Sequence, residues 1–477
     1  MSASFRFCLV FLLCPSLLNA QPAAPIMELT ADARRAVDSI RQSSVLSTVA
    51  FLASDEMAGR QTPSPELNIA SRFVASRFRG AGLKPLDEDA TFFHTTDFEV
   101  SQPPYNDVEL QIAGGDVVRS RGVLCATSER LQLTAPALAE SQLIDADADA
   151  ESPRIAVIDE VTIPPQAVDN PAAVLLTLRR RLRTVSEQGV QLVLMQCAPE
   201  SPWINVARRL SERPIPRRQG LQPDCAVVLI SQNAKLNDVE IIANIGAQQI
   251  TQVPVRNVLA VLRGSDAALN DQAIFVSAHL DHIGVQSTGP DKINNGADDN
   301  ASGVTAVLEL ADAFAALDTP PRRSIVFCTF WGEEKGLLGS KALVAQPPWP
   351  LNRITANINL EMVGRPEIDA REKIWMTGWQ HSNLGTLMHK GAQQIGVEVF
   401  DRTDVGEMLY TRSDNHSFVK QGVIAHSFSA GSLHTDYHQP TDEWQKLDIP
   451  HMTKVIQGLF CGIQYIANQD AAPEKTK

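Results

Sequence analysis

Three apolar runs between residues 273 and 334 each lead into residue types that bind metals, and this recurrence constrains the fold more than any other feature of the chain. Ala273 to Ala278 reads as a buried strand that delivers His279 and Asp281. A Gly- and Asp-rich turn, Gly296 to Gly303, opens a helix and offers Asp298 and Asp299. That helix carries the stripe Val304, Val307, Leu308, Ala311 and Phe314. Ser324 to Trp331 reads as a second buried strand, followed by the pair Glu333 and Glu334. Open α/β sheets bind their ligands beyond the carboxyl ends of the strands, so three elements aim imidazole and carboxylate at one place.

The rhythm continues to the C-terminus. Val258 to Leu262, Ala356 to Leu360 and Val423 to Phe428 read as strands. Leu384, Leu387, Met388 and Ile395 mark one helix; Met452, Val455, Ile456, Leu459, Phe460 and Ile463 mark the last. Strand and helix in alternation predict an α/β fold, a three-layer sandwich with a mostly parallel central sheet. Upstream, Ile69, Phe73, Val74 and Phe78 predict a helix that the glycines of Gly80 to Pro85 terminate. Between residues 98 and 250 the character changes to short β-rich runs at Arg154 to Ile158, Gln191 to Met195 and Ala226 to Ile230. A helix, Ala172 to Glu187, separates the first two. We read residues 98–250 as a smaller β-rich domain inserted into a catalytic domain made of residues 27–97 and 251–470.

A chain of 477 residues has room for both. Its formal net charge of −13 excludes nucleic acid and anionic membrane as bulk partners. Residues 1–20 read as an export signal: Arg6, an apolar run from Phe7 to Leu13, and a small-residue site near Ala20. That run is too short to span a bilayer, and no other run approaches the length, so the expected location is periplasmic or extracellular. Beyond the leader stand Cys125, Cys197, Cys225, Cys328 and Cys461. Cys328 lies in an apolar strand as a buried thiol; any disulfide is expected among Cys125, Cys197 and Cys225. The acidic segment Ile144 to Ser152 lacks the glycine and distal Glu of a calcium loop and reads as solvated. Arg179, Arg180, Arg181 and Arg183 read as a solvated helix face.

Zinc takes His nitrogen and carboxylate oxygen, and a catalytic site keeps one position open. His279, Asp299 and Glu334 are the first candidate ligands. A carboxylate can also bridge two ions about 3.5–4 Å apart, which calls for further ligands. His434 and His438, in the tail from Gly431 to Trp444, and Glu361, after a strand, are available. Asp281 is placed to orient a ligating imidazole through its second nitrogen. Glu333 need not touch metal and can take a proton from an activated water. Singly, an HxD is usually a surface turn and a Glu pair a solvated one; together, in order and at strand ends, they specify a metal site.

These residues resemble the zinc-dependent exopeptidase family that includes bacterial leucyl aminopeptidases, glutamate carboxypeptidase and the transferrin receptor ectodomain. The family's HxD matches His279-Leu280-Asp281, and its D-[DN]-[AG]-S-G matches Asp299 to Gly303. The resemblance implies Asp299 as bridging ligand, Glu333 as general base and Glu334 as terminal ligand. The tail pattern YHxPxD matches Tyr437 to Asp442 and implies His438 as the last ligand, leaving His282, His416 and His434 as neighbours. Phe51 to Arg60 and the helix that follows resemble the family's N-terminal segment. The insertion resembles the protease-associated domain of many members, which often covers the active-site mouth. One position departs: the family places Asp in an N-x-D-M context where this chain has Asn359-Leu360-Glu361-Met362. Glu361 keeps the carboxylate one methylene farther out, so a second zinc depends on how that side chain is held. The resemblance implies a secreted or periplasmic di-zinc metallo-exopeptidase acting on peptides, with aminopeptidase activity first. A carboxypeptidase or dipeptidase would need a cationic clamp, for which Arg365 or Arg412 could serve. A glutaminyl cyclase-like enzyme with one zinc, or an inactive receptor-like binding protein, are the remaining alternatives.

Overall fold

The computed structural model describes residues 29–86, 91–143, 153–164, 171–212, 215–216, 225–236, 238–286, 289–367, 370–431 and 433–476. Residues 1–20, read above as an export signal, and the acidic segment of residues 144–152 lie outside these. Among the described residues, nine strands form one mixed sheet. Its order is Glu398–Asp401, Lys373–Met376, Ala425–Ser429, Ile354–Leu360, Ala273–His279, Ser324–Phe330, Gln249–Leu262, Phe93–Gln102 and Ile215–Pro216. The strands from Ala425–Ser429 to Ser324–Phe330 run parallel to one another. Gln249–Leu262 and Phe93–Gln102 extend one flank in antiparallel sense.

The parallel centre follows from its composition. Every residue of Ala273–His279 and of Ser324–Phe330 is buried, as a sheet covered on both faces requires. Successive side chains take opposite faces. Ile274, Val276 and Ala278 face helix Gly303–Ala315 and share one apolar cluster with helices Leu384–Ala392 and Ile449–Ala467 on that side. Ala273 and Phe275 meet Leu343, Trp349 and Phe418 on the other side, beneath the helices Leu338–Ala345 and Asn415–Val419. These are the three expected layers. Because Ala273–His279, Ser324–Phe330 and Ile354–Leu360 are parallel, their C-terminal ends lie on one edge, where His279, Glu333, Glu334 and Glu361 emerge.

Helix Pro65–Gly80 is capped by Ser64, whose hydroxyl accepts from the Leu67 amide at 3.0 Å. It buries Leu67, Ala70, Val74 and Phe78, whereas Ile69 is 52% exposed, so the apolar stripe does not pass through Ile69.

A second sheet of seven strands is built from residues 108–245, in the order Val108–Ile112, Val239–Ile245, Leu131–Ala139, Arg154–Ile158, Val190–Cys197, Ala226–Ser231 and Gly122–Cys125. The three strands expected here are adjacent and parallel. Leu178, Leu182, Trp203 and Val206 of the helices Pro171–Glu187 and Pro202–Glu212 cover one face. Leu110, Leu133, Leu192, Val228 and Ile241 close a separate apolar cluster on the other. On helix Pro171–Glu187, Arg181 pairs with Glu140 at 2.7 Å and Arg183 with Glu187 at 3.0 Å, both at the surface.

The boundaries drawn at residues 98 and 250 fall inside strands. Phe93–Gln102 and Gln249–Leu262 are paired as far as Gln102 and Gln249, which are Cα partners. Replacing residues 103–248 by an Asn-Gly turn, which suits a two-residue hairpin connection, is expected to leave a cooperatively folding, zinc-binding protein with altered substrate preference. Thermal unfolding and zinc content check this; loss of a cooperative transition would show that the two sheets stand or fall together.

Cys125 and Cys197 are not in a disulfide; their thiols donate to the carbonyls of Cys225 and Ile230 at 3.3 and 3.4 Å. Among the described residues, no helix is long and apolar enough to cross a membrane.

Candidate metal centre

The turn that carries Asp299 is fixed from two directions. The carboxylate of Asp442, from the tail, accepts from the Asp298 and Asp299 amides at 3.1 Å. Burial beside Asp298 pushes the Asp442 carboxyl up to about 6. From the other side the turn is stitched to the end of strand Ile354–Leu360: Asn300 Nδ2 donates to Leu360 O at 2.9 Å, and Asn300 Oδ1 accepts from Met362 N at 3.2 Å. Gly303 must be glycine here, because a Cβ would lie 2.5 Å from Leu360 O. Asp298 accepts from the Gly364 amide at 2.8 Å, so its role is to hold the loop while Asp299 faces the centre.

His279 is buried at its strand end. Its Nδ1 contacts the main-chain oxygen of Asp281 at 3.0 Å, which directs Nε2 to the centre as the donor atom. The Asp281 carboxylate is 3.9 Å from Nδ1 and serves elsewhere: it accepts from the Glu333 amide at 3.0 Å and the Thr62 hydroxyl at 2.9 Å. The expected orienting contact is thus made by the backbone of Asp281, and its side chain positions Glu333.

Two donor sets meet at Asp299. Its Oδ1 lies 3.2 Å from His279 Nε2, which is 2.9 Å from Glu361 Oε1. Its Oδ2 lies 3.1 Å from His438 Nε2, which is 3.2 Å from Glu334 Oε1. A tetrahedral zinc with ligands at about 2.0–2.1 Å sets neighbouring donors about 3.3 Å apart, close to every one of these separations. Among the described residues, the buried atoms Asp299 Oδ2 and His438 Nε2 make no hydrogen bond of regular geometry despite their closeness; an ion between them would satisfy both. The His and carboxylate donors suit zinc. These observations fit a metal.

His438 sits on strained backbone, with φ of +56° at a residue with a Cβ. The Tyr437 ring stacks on it at 3.9 Å. Burial opposes a proton on His279, yet Glu361 and Asp299 raise its pKa well above the ordinary value. The negative field that would hold a proton there also attracts a cation. Burial, with Asp414 and Glu334 as neighbouring like charges, pushes the Glu333 carboxyl up.

All seven residues singled out from the sequence, His279, Asp281, Asp299, Glu333, Glu334, Glu361 and His438, therefore gather at one edge of the sheet. His282 is more intimate than a neighbour: its Nδ1 is 3.0 Å from Glu334 Oε1 and 3.8 Å from Asp299 Oδ2. His416 stands outside both donor sets. His434 Nδ1 faces Arg365 at 3.2 Å, and its Nε2 is 3.3 Å from Asp298. Sequence reasoning missed Arg60, Thr62 and Ser413, which act on this site through hydrogen bonds that no spacing rule announces.

Residues 257–460 match the family model described as Peptidase family M28. The chain is 27% identical over 244 residues to a probable glutamate carboxypeptidase of Arthroderma benhamiae, covering 47% of this chain and 32% of that protein. It is 28% identical over 219 residues to aminopeptidase YwaD of Bacillus subtilis, covering 44% of each. It is 36% identical over 267 residues to a probable zinc metalloprotease of Pyrenophora tritici-repentis, covering 47% and 59%. The chain thus spans from about a third to three-fifths of the length of these relatives. A zinc aminopeptidase structure from Bacillus subtilis superposes with a TM-score of 0.50 at 19% identity, over 91% of this chain and 97% of that one, and shares the fold.

Proposed function

We propose that this chain, whose residues 257–460 match the model of peptidase family M28, is a di-zinc exopeptidase of that kind, removing N-terminal residues from peptides. The observation that carries this reading is the placement of Asp299, with one oxygen toward His279 and the other toward His438. His279 and Glu361 would complete one ion's set, Glu334 and His438 the other's, with His282 within reach of the second. The carboxylates of Asp299, Glu334 and Glu361 converge here, a concentration of negative charge that two cations would offset.

When bound, zinc polarises the scissile carbonyl and acidifies water. Glu333 takes the proton of the attacking water as the new C–O bond forms. It returns that proton to the amine as the C–N bond breaks. Its carboxylate makes no hydrogen bond to the described residues and is left to water, while Asp281 fixes its backbone.

Both an aminopeptidase and a carboxypeptidase stand among the relatives, so the terminus is argued from this site. A clamp for a substrate carboxylate needs an available cation. Arg365 is engaged by Asp436 at 2.7 Å and by His434, which favours the amino terminus; Arg412, which is exposed, is the remaining candidate clamp. The contact of Glu361 with His279 favours two ions over the one of a cyclase-like enzyme. A base and both donor sets together favour catalysis over a binding role. The leader of residues 1–20 supports an extracellular or periplasmic site of action.

Hydrolysis of amino-acid p-nitroanilides is expected to be lost on chelation and restored by zinc. Activity indifferent to chelator, or found only on N-blocked peptides with a free C-terminus, would overturn the reading.

A further inference from the structure

Glu361 carries a longer arm than the aspartate of the N-x-D-M pattern, and the structure uses the extra reach in a definite way. Its two oxygens are treated differently. Oε1 faces His279 Nε2 at 2.9 Å. Oε2 accepts from the Ser413 hydroxyl at 2.6 Å and from Asn359 Nδ2 at 3.3 Å. Ser413 has one proton to give. Its oxygen is taken up as an acceptor for Asn359 Nδ2 at 2.9 Å, which commits that proton to Glu361.

Behind these contacts stands a rigid support. Asn359 Oδ1 accepts from Ser277 at 3.0 Å, and Ser277 accepts from Asn357 Nδ2 at 2.8 Å. Ser427 accepts from Asn359 Nδ2 at 3.1 Å and donates to Asn415 Oδ1 at 3.0 Å. Ser277, Asn357, Asn359, Ser413, Asn415 and Ser427 are all buried, on the strands Ala273–His279, Ile354–Leu360 and Ala425–Ser429 and at the start of helix Asn415–Val419. Asn357 Oδ1 is the one atom of these side chains buried without a hydrogen-bond partner among the described residues; the rest interlock, and such a network restrains its members.

We propose that Ser413 is a positioning residue that makes Glu361 a one-oxygen zinc ligand, by holding Oε2 away from the ion and leaving only Oε1 to His279's side of the centre. The inference rests on reading Glu361 as a ligand. A glutamate has one more rotatable bond than an aspartate, so a free Glu361 would divide its time among one-oxygen, two-oxygen and unbound poses. The short O–H···O⁻ bond to Ser413 selects one of them. His438, Glu334 and the Oδ2 side of Asp299 do not touch this network, so the other ion should not feel it.

The test uses the full-length protein and zinc itself, measured by competition with a chelator of known affinity. Wild type is expected to bind two ions. Ser413→Ala should weaken one of them about 10–100-fold, the range found for lost partners of metal ligands, and leave the other unchanged. Ser413→Thr, which keeps the hydroxyl, should restore it. Glu361→Asp shortens the arm and breaks its contact with Ser413, so adding Ser413→Ala to Glu361→Asp should cost nothing further. Melting temperatures of the zinc-free proteins report on folding, and Ser413→Gly removes the same hydroxyl should the alanine variant fail to fold. Equal affinity in Ser413→Ala and wild type would overturn the proposal, as would the same loss in the Glu361→Asp background, which would make Ser413 a generic support. A wild type that binds no zinc would overturn the reading of the centre itself, a different result.

Discussion

Glu333→Gln is expected to slow peptide hydrolysis by about 10²–10⁴-fold, the usual worth of a general base, with zinc content and melting temperature unchanged. Glutamine keeps the size of the side chain and can still hydrogen-bond to water, but it cannot accept the proton. Glu333 lies in neither donor set of the centre, so removing its charge takes away no ligand. Its neighbour is the control. Glu334 Oε1 lies 3.2 Å from His438 Nε2 and 3.0 Å from His282 Nδ1, so Glu334→Gln should lower zinc occupancy together with rate. Zinc analysis and steady-state rates on both variants decide the matter. If Glu333→Gln sheds metal while Glu334→Gln keeps it, the two assignments are reversed.

Arg60→Ala is expected to destabilise the zinc-free protein by about 3–5 kcal/mol, the upper range for a single substitution. The Arg60 side chain is fully buried, and its guanidinium donates to the carbonyls of Leu52, Leu280 at 3.0 Å, Asn295 at 2.9 Å and Gly296 at 3.1 Å. It thereby ties the end of helix Gln42–Leu52 to the segments that carry Asp281 and Asp299. Burial lowers its pKa to about 10, offset by Asp281 and Asp299, so it stays charged at neutral pH. Each buried carbonyl left without a donor costs about 1–3 kcal/mol, of which entering water recovers part. The melting temperature should fall by roughly 3–8 °C. Calorimetry of the zinc-free variant reads this directly, and a shift within 1 °C would show that the N-terminal segment is not held by this side chain.

Arg60 also shows where sequence reading stops. The central strands are legible because a strand buried on both faces must be apolar throughout, as Ala273–His279 is. The candidate metal-binding residues are legible because zinc accepts few donor types and the parallel strands end on one edge. Phe93–Gln102 escapes, because FHTTDFEVSQ is half-exposed and polar at the flank and shows no clear period. The limits of the insertion escape with it. Arg60 and Ser413 escape for another reason: each acts on residues far away in the chain, through hydrogen bonds set by tertiary packing. At Asp281 the main-chain oxygen, not the carboxylate, faces His279 Nδ1, a difference that spacing in the sequence cannot express.

The pairing of Gln102 with Gln249 has a kinetic consequence. Joining the strands Phe93–Gln102 and Gln249–Leu262 in an otherwise unfolded chain means closing the whole of residues 103–248 as a loop, which by the logarithmic loop law costs about 4 kcal/mol beyond a constant. In the second sheet, Val108 is the Cα partner of Ile245. A chain in which that sheet has already formed has its two arms brought together, and only residues 103–107 and 246–248 remain to be ordered. The same law then gives about 2 kcal/mol. The order of assembly is biased from within: the inserted sheet acts as a clasp, and the antiparallel flank of the larger sheet zips outward from it. Destabilising the inserted sheet should therefore slow the appearance of zinc binding during refolding more than it lowers the final yield.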